Sequence, residues 1–306
     1  MRNALLSFAR GLVPKPAYLY LRASLKLGYL PNVIAPQTFN EKILAKMLFD
    51  RSPVLVTAAD KLLARKFVAE RFGAQFLPAL RGVWADAQSL RLDPAWGAVV
   101  VKANHASGFV ELVPDAAKAD VAQLRRTVAP WFRFNYGRSF GEWCYRDIEP
   151  MVFAEEMLGN GDPDALVDYK VFCFQGQPRF LKVIRGMQGA TRSFYADLAY
   201  RDLQIRDGQP PLEARFQTPP PNFGAMLELA QRIASEFEMI RVDMYNVDGR
   251  IYVGELTNYP QAGIARFHPA DADGRLGAYW DRAGMSYLPL TRRARAAGAA
   301  PASTSR

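Results

Sequence analysis

Two cysteines, Cys144 and Cys173, and two histidines, His105 and His268, are all that 306 residues provide of either type. So few cysteines make neither a disulfide framework nor a zinc site, and they suit a reducing compartment. So few histidines leave little room for His-based metal centres or triads. A long apolar run is also missing. Arg10, Pro14, Lys15 and Pro16 interrupt the N-terminal apolar stretch, which falls far short of the ~20 residues a membrane-spanning helix needs. The same breaks spoil a secretory signal. The expectation is a cytoplasmic protein.

Acidic residues are absent from both ends. Residues 1–40 carry Arg2, Arg10, Lys15, Arg22 and Lys26, and residues 291–306 carry Arg292, Arg293, Arg295 and Arg306. These account for the entire net charge of +9, so the middle of the chain is neutral. That argues against a nucleic-acid groove and for basic ends that are solvated or touch an anionic membrane surface at its periphery. Residues 293–306, rich in Ala, Ser, Thr and Arg, read as a disordered basic tail.

What is present is apolar mass, 50% of the residues, enough for one large or two modest cores. Thr38-Phe39-Asn40-Glu41 is a capping box opening a helix to about Phe49. Asp60-Lys61 opens another, to Arg71. Ala98–Lys102 and Phe109–Val113 read as a hairpin whose loop, Ala103–Gly108, can cradle phosphate oxygens with Lys102 at its root. His105 lies in that loop, where it either meets a ligand or only caps the turn. Asp120–Arg133 is expected to be helical and Trp131–Tyr145 irregular. Strands are expected over Pro150–Leu158, Asp168–Phe174 and Pro178–Arg185, with a loop over Gly159–Pro163. A helix is expected over Phe223–Phe237. The order predicts an α+β fold with largely antiparallel sheet.

Ile240–Asn258 reads as a hairpin turning at Asp248-Gly249. A two-residue loop would pair Asp243 with Gly254 and send Glu255 to the opposite face. A three-residue loop would pair Arg241 with Glu255 and Asp243 with Val253. The second register is preferred because it gathers Arg241, Asp243, Glu255 and Thr257 on one face, with Val242, Met244, Tyr252 and Leu256 on the other. An Asp and a Glu converging with Asn258 close behind make a hard-oxygen site suited to Mg²⁺. The alternative is a solvated hairpin with an ordinary Arg–Glu pair.

In order and spacing, Asp60-Lys61, Val101-Lys102 with Ser107-Gly108, Ala154–Leu158, Asp168-Tyr169-Lys170, Arg241-Val242-Asp243 and Gly254–Asn258 resemble the ATP-grasp superfamily. With Thr38–Lys42, Asp168–Phe174, Leu276-Gly277 and Trp280, the chain looks like its teichuronopeptide-biosynthesis (TupA-like) branch over roughly residues 37–281. The resemblance implies two α+β subdomains clamping ATP between antiparallel sheets after a helical N-terminal segment. It divides the chain into 1–58, 59–154 (phosphate loop), 155–290 (hinge and Mg²⁺ site) and the tail 291–306. It implies ATP and Mg²⁺ as cofactors. Lys61, Lys102, Ser107, Gly108 and Lys170 would meet the phosphates, and Glu155, Glu156, Met157 and Leu158 would form the adenine hinge. Glu155, Glu156 or Asp168 would take the ribose. Asp243 and Glu255 would hold the metal, with Asn258 a further candidate ligand; whether Thr257, Asn258 or neither reaches an ion stays open. Arg241 would stabilise the transition state. The implied activity is carriage of a carboxylate through an acyl phosphate to an amide. The setting would be cell-surface polysaccharide or peptide-polymer assembly, on an acidic sugar or amino-acid substrate.

Three other readings stay open. Asp271 and Asp273 form an acidic pair of the kind a glycosyltransferase uses with a nucleotide sugar. The same ATP machinery would serve a phosphotransferase. A non-catalytic polymer-binding module is the third.

Overall fold

A computed structural model describes residues 13–159, 166–186 and 191–288. The basic tail, residues 1–12 and most of the expected 159–163 loop therefore lie outside the described residues. In chain order the helices and strands are α1 (Lys15–Leu27), α2 (Phe39–Phe49), α3 (Val54–Ala59), α4 (Lys61–Arg71), β1 (Leu80–Trp84), β2 (Val99–Ala103), β3 (Val110–Val113), α5 (Val121–Val128) and α6 (Tyr136–Phe140). They continue with β4 (Val152–Glu156), β5 (Val167–Phe174), β6 (Gln177–Arg185), β7 (Arg192–Ala196), α7 (Phe223–Ala234), β8 (Met239–Val247), β9 (Arg250–Thr257) and α8 (Ala272–Ala278). Among the described residues, no helix is long and apolar enough to cross a membrane.

The chain divides into two compact units, residues 53–258 and the flanking segments before and after them. Residues 259–288 thus group with the N-terminal helices, whereas the sequence reading had attached them to the segment 155–290.

The flanking unit explains the Thr38–Lys42 motif. Thr38 caps α2 through the Glu41 N–H, and the Glu41 carboxylate accepts from the Asn32, Gln37 and Thr38 N–H groups. Such a cap is worth about 1 kcal/mol. The Asn40 amide both donates to and accepts from the Ala265 backbone. The buried Lys42 ammonium donates to the Gly277 and Trp280 carbonyls. The motif is therefore a clasp on residues 265–280. It also accounts for the acidic pair: Asp273 accepts from the Asn40 N–H at 3.0 Å, and Asp271 is exposed at the start of α8.

Within 53–258 lie two sheets, both antiparallel as expected, in the orders β1-β4-β2-β3 and β7-β6-β5-β8-β9. β1, β7 and α3 were not foreseen. In β2 the period of two sends Val99, Val101 and Ala103 into a core with Leu124, Val128 and Trp131. Val100 and Lys102 face the other way. The expected helix 120–133 ends at Val128, and Trp131–Arg133 is a separate short turn after Pro130. In the second sheet, Met226, Leu229, Ala230 and Ile233 of α7 are buried, and α7 packs on β5, β6 and β8. Val171, Val183, Val242 and Met244 point to that face and are fully buried. Burial contributes about 2 kcal/mol for each large apolar side chain. The polar face is left for chemistry.

Gly277 in α8 is a tight contact. A Cβ there would stand 2.8 Å from the Phe39 nitrogen and closer still to the Gln37 carbonyl oxygen, whereas one at Gly274 meets nothing. Gly277→Ala is expected to destabilise by about 1–3 kcal/mol through overpacking. Gly274→Ala should be neutral or stabilising by up to about 1 kcal/mol from helix propensity. Urea titration of both variants checks the contrast, and equal effects would refute the backbone-contact account.

Candidate active site

The hairpin β8–β9 settles the register differently from either expectation. Asp248 and Gly249 both have positive φ, +51° and +77°, the mark of a two-residue type I′ turn. From that turn Val247 pairs with Arg250, Tyr245 with Tyr252 and Met244 with Val253. Then Gly254 bulges out, and Asp243 pairs with Glu255 and Arg241 with Thr257. The preferred pairs, Arg241 with Glu255 and Asp243 with Val253, are therefore wrong. The face is right, because one extra residue shifts the alternation by one and restores it. Val253, not Tyr252, joins the core face opposite Met244. A Cβ at Gly254 would lie 2.7 Å from Tyr245 Cε2, so any side chain there must displace the Tyr245 ring.

Asp243 is 3% exposed. Its carboxylate accepts from Arg241 Nε and NH2, both at 2.7 Å, and from Lys170 Nζ at 2.7 Å. Lys170 is its cross-strand partner on β5 and also donates to Asp168 at 2.5 Å. Arg241 NH2 reaches Thr257 Oγ1 at 3.0 Å as well. Burial works against ionising Asp243, but Arg241 and Lys170 outweigh it and hold its pKa below the ordinary value. Asp168 goes the other way. Burial raises its pKa, more than Lys170 lowers it, and the Asp243 charge adds to the rise. Burial alone would lower the Lys170 pKa, yet the two carboxylates bring it above its usual value.

The row extends across the sheet. Tyr195, Lys182, Lys170, Asp243 and Glu255 are successive cross-strand neighbours on β7, β6, β5, β8 and β9. Lys182 is buried against Asp207, which also accepts from Tyr195 at 3.1 Å.

The first sheet contributes the opposite wall. Asp60 caps α4 and binds the Asn104 amide, and the Lys61 N–H donates to the Asn104 carbonyl, so the helix start is fastened to the 104–108 loop. Lys61 Nζ then lies 2.7 Å from the Ala106 carbonyl and 3.6 Å from Glu255. Ser107 and Gly108 form the exposed tip, with Gly108 at φ +79°. Lys102 is paired with Glu155, and Arg65 binds the other Glu155 oxygen at 2.6 Å and the Pro78 carbonyl at 2.6 Å. Glu155 is thus an anchor for cations rather than a group open to a ribose. Glu156 is partly exposed, 3.5 Å from Arg81. In the hinge stretch the Glu156 and Met157 N–H groups are used by Ala79 and Ala98. The Leu158 N–H has no backbone partner among the described residues.

These groups line one cleft of about 390 Å³, within the usual range for small-molecule sites. It collects Lys61, Lys102, Ser107, Gly108, Glu155, Glu156, Met157, Leu158, Asp168, Lys170, Asp243 and Glu255 from the sequence reading. Arg241 stands behind Asp243. Asn258 is not brought there: it is 1% exposed and its amide donates to Leu55 at 2.7 Å. His105 is buried too, with its ring nitrogens at Asn104 and Trp131, so it braces the loop from behind. Sequence reasoning missed Arg65 and Tyr245. Arg65 follows Lys61 by one helical turn, a spacing that could have revealed it.

A family model, TupA-like ATPgrasp, matches residues 41–281. The chain belongs to this family. The fold is accordingly ATP-grasp. Solved structures similar to it include the D-alanine–D-alanine ligase of Bacillus anthracis, at 18% identity and a TM-score of 0.43 over 79% of this chain and 69% of that one. The ATP-grasp ligase PsnB, complexed with a phosphomimetic precursor variant, Mg and ADP, matches at 14% identity and 0.40 over 80% of this chain and 60% of that one. D-cycloserine synthetase DcsG matches at 15% and 0.37 over 74% and 70%. Across its matches to PsnB the chain spans from 60% to 71% of that protein's length. No curated protein matches it.

Removing the Asp243 charge exposes what the network does. Asp243→Asn leaves Arg241 and Lys170 short of a buried counter-ion, which should cost about 3 kcal/mol at pH 7. Because the folded pKa of Asp243 is lowered, its stabilisation is present above the ordinary value of 3.8 and is lost as pH falls through the lower folded value. The gap between wild type and variant should therefore narrow progressively as pH falls below ~3.8. Denaturant titrations at pH 7 and pH 3 check this, and a gap independent of pH would refute it.

Proposed function

We propose that the chain is an ATP- and Mg²⁺-dependent ligase joining a carboxylate to an amine through an acyl phosphate. The observation that carries this reading is the opposition of Asp243 and Glu255 across the bulged hairpin, in one cleft with Lys61, Lys102 and Lys170. The donor set fits the expected groups. Paired carboxylates are hard ligands of the kind Mg²⁺ takes, and three ammonium groups suit a triphosphate. Val100, Leu112, Met157, Leu158 and Leu166 give the cleft an apolar end for a base, where the Leu158 N–H is available to its edge. Asp243 and Glu255 would hold Mg²⁺, which when bound neutralises the γ-phosphate for attack. Lys61 and Lys102 bind phosphate oxygens, and Glu155 with Arg65 orients Lys102. Arg241, fixed by Asp243 and Thr257, presents a permanent positive charge behind the reacting centre. Phosphoryl transfer is mostly positioning and charge neutralisation, which these residues supply without a nucleophilic side chain.

The substrate proposed is an acidic sugar or amino acid of a cell-surface polysaccharide or peptide polymer. Calorimetry with ATP should show binding in the micromolar range that Lys102→Ala weakens at least about tenfold, the loss of one charged contact of 1.5–3 kcal/mol. Turnover with uronic acids and amines should release ADP with an amide product. A stable phosphorylated product would instead favour a kinase on this scaffold, and no ATP binding would remove both readings.

We place the protein in the cytoplasm, where its two buried cysteines, joined by no disulfide, stay reduced, with peripheral contact to an anionic membrane. Leu30 is 76% exposed, beside exposed Tyr29 and Ile34 and close in sequence to exposed Lys15 and Lys26. Apolar insertion with basic flanks is the interfacial pattern. Sedimentation with phosphatidylglycerol vesicles should recover the wild type and lose Leu30→Glu, and equal recovery of the two would reject the contact.

A further inference from the structure

The cation nearest the two aspartates is the protein's own. Lys170 Nζ lies 2.5 Å from Asp168 Oδ2 and 2.7 Å from Asp243 Oδ2. Asp243 therefore carries three charge-assisted bonds, two of them from Arg241. A carboxylate offers about four lone-pair positions, so little of this one is left over. The other Asp168 oxygen, Oδ1, is buried and has no hydrogen-bond partner among the described residues. Among the described residues, too, no three His, Cys, Asp or Glu side chains are arranged to hold a metal ion.

Charge balance makes this consequential. Asp168 and Asp243 are matched by Lys170 and Arg241 in one ion-paired group, and Glu255, the cross-strand neighbour of Asp243, is matched by Lys61. A free dication entering it must expel a cation. Arg241 cannot leave easily: it is forked onto Asp243, bonded to Thr257 and 13% exposed. Lys170 is a single ammonium on a flexible stem that lines the cleft. Expelled alone, it would join Lys61 and Lys102 in a cleft whose other carboxylates, Glu155, Glu156 and Glu255, already have Lys102, Arg81 and Lys61 as partners. A polyphosphate in the cleft supplies a further anion.

We propose that Lys170 competes with the divalent cation for Asp168 and Asp243, so that the cation enters together with a polyphosphate that takes over the ammonium. This rests on the cleft being a nucleotide site, as read above. It moves Asp168 from a ribose contact to the cation side of the cleft. It also makes metal and nucleotide binding positively coupled, each strengthening the other by the same factor.

Mn²⁺ binding to the full chain, followed by electron paramagnetic resonance, tests it. Without nucleotide, Lys170→Met should bind Mn²⁺ at least about tenfold more tightly than wild type, and ADP should tighten the wild-type Mn²⁺ affinity by at least a similar factor. Equal nucleotide-free affinities in the two proteins would overturn the proposal, as would a wild-type affinity that ADP leaves unchanged. Should the variant not fold, the side-chain ¹⁵N resonance of Lys170 in labelled wild type is the second reading. It should shift with Mg²⁺ and ADP together but not with Mg²⁺ alone, and a shift with Mg²⁺ alone would overturn the proposal. Calorimetry of ATP with Mg²⁺ present separates the failures: ATP that binds while Mn²⁺ affinity ignores Lys170 removes only this inference. Absent ATP binding removes the nucleotide reading itself.

Discussion

A carboxylate buried in the middle of a sheet sets the terms for everything around it. Asp243 at 3% exposure is tolerable only with counter-charges in contact. Arg241 on its own strand and Lys170 on the neighbouring one provide them. Those contacts need Lys170 directly opposite Asp243, so they also fix the β5–β8 register. A slip by one residue would turn Asp243 toward α7 and the apolar core. The ion group thus acts as a registry device, and the apolar face contributes the stabilisation.

The same logic recurs on the other wall of the cleft. Glu155 is buried between Lys102 and Arg65, which joins β4, the β2–β3 hairpin and helix α4. Lys61 and Arg65 sit one turn apart on that helix, and its start is capped by Asp60, which also binds Asn104 beneath the loop. Every cation expected at the phosphates is therefore held on a helix or strand. Only Ser107 and Gly108 are left exposed at a loop tip.

Much of this was legible in the sequence because it depends on local chemistry. The capping box at Thr38, the helix start at Asp60, the period-two strand of Val99–Ala103 and the turn at Asp248-Gly249 each follow from neighbouring residues. The Thr38–Lys42 segment was recognised as a family feature, but its role was not. A lysine that donates to the Gly277 and Trp280 carbonyls cannot be told from a solvated one until the chain has folded back on itself. The bulge at Gly254 escaped for a similar reason, since it answers to the Tyr245 ring on the opposing strand.

The sequence by itself determined which residue types could do chemistry and on which face of the hairpin they would fall, because alternation and turn preference are properties of adjacent residues. Tertiary structure decided which carboxylates are already engaged. It committed Glu155 to Lys102 and Arg65, buried Asn258 on Leu55, and set Lys170 between Asp168 and Asp243. Apart from Lys170 with Asp168, those pairings join residues many tens of positions apart, and their strength depends on burial, which exists only once the sheets have formed.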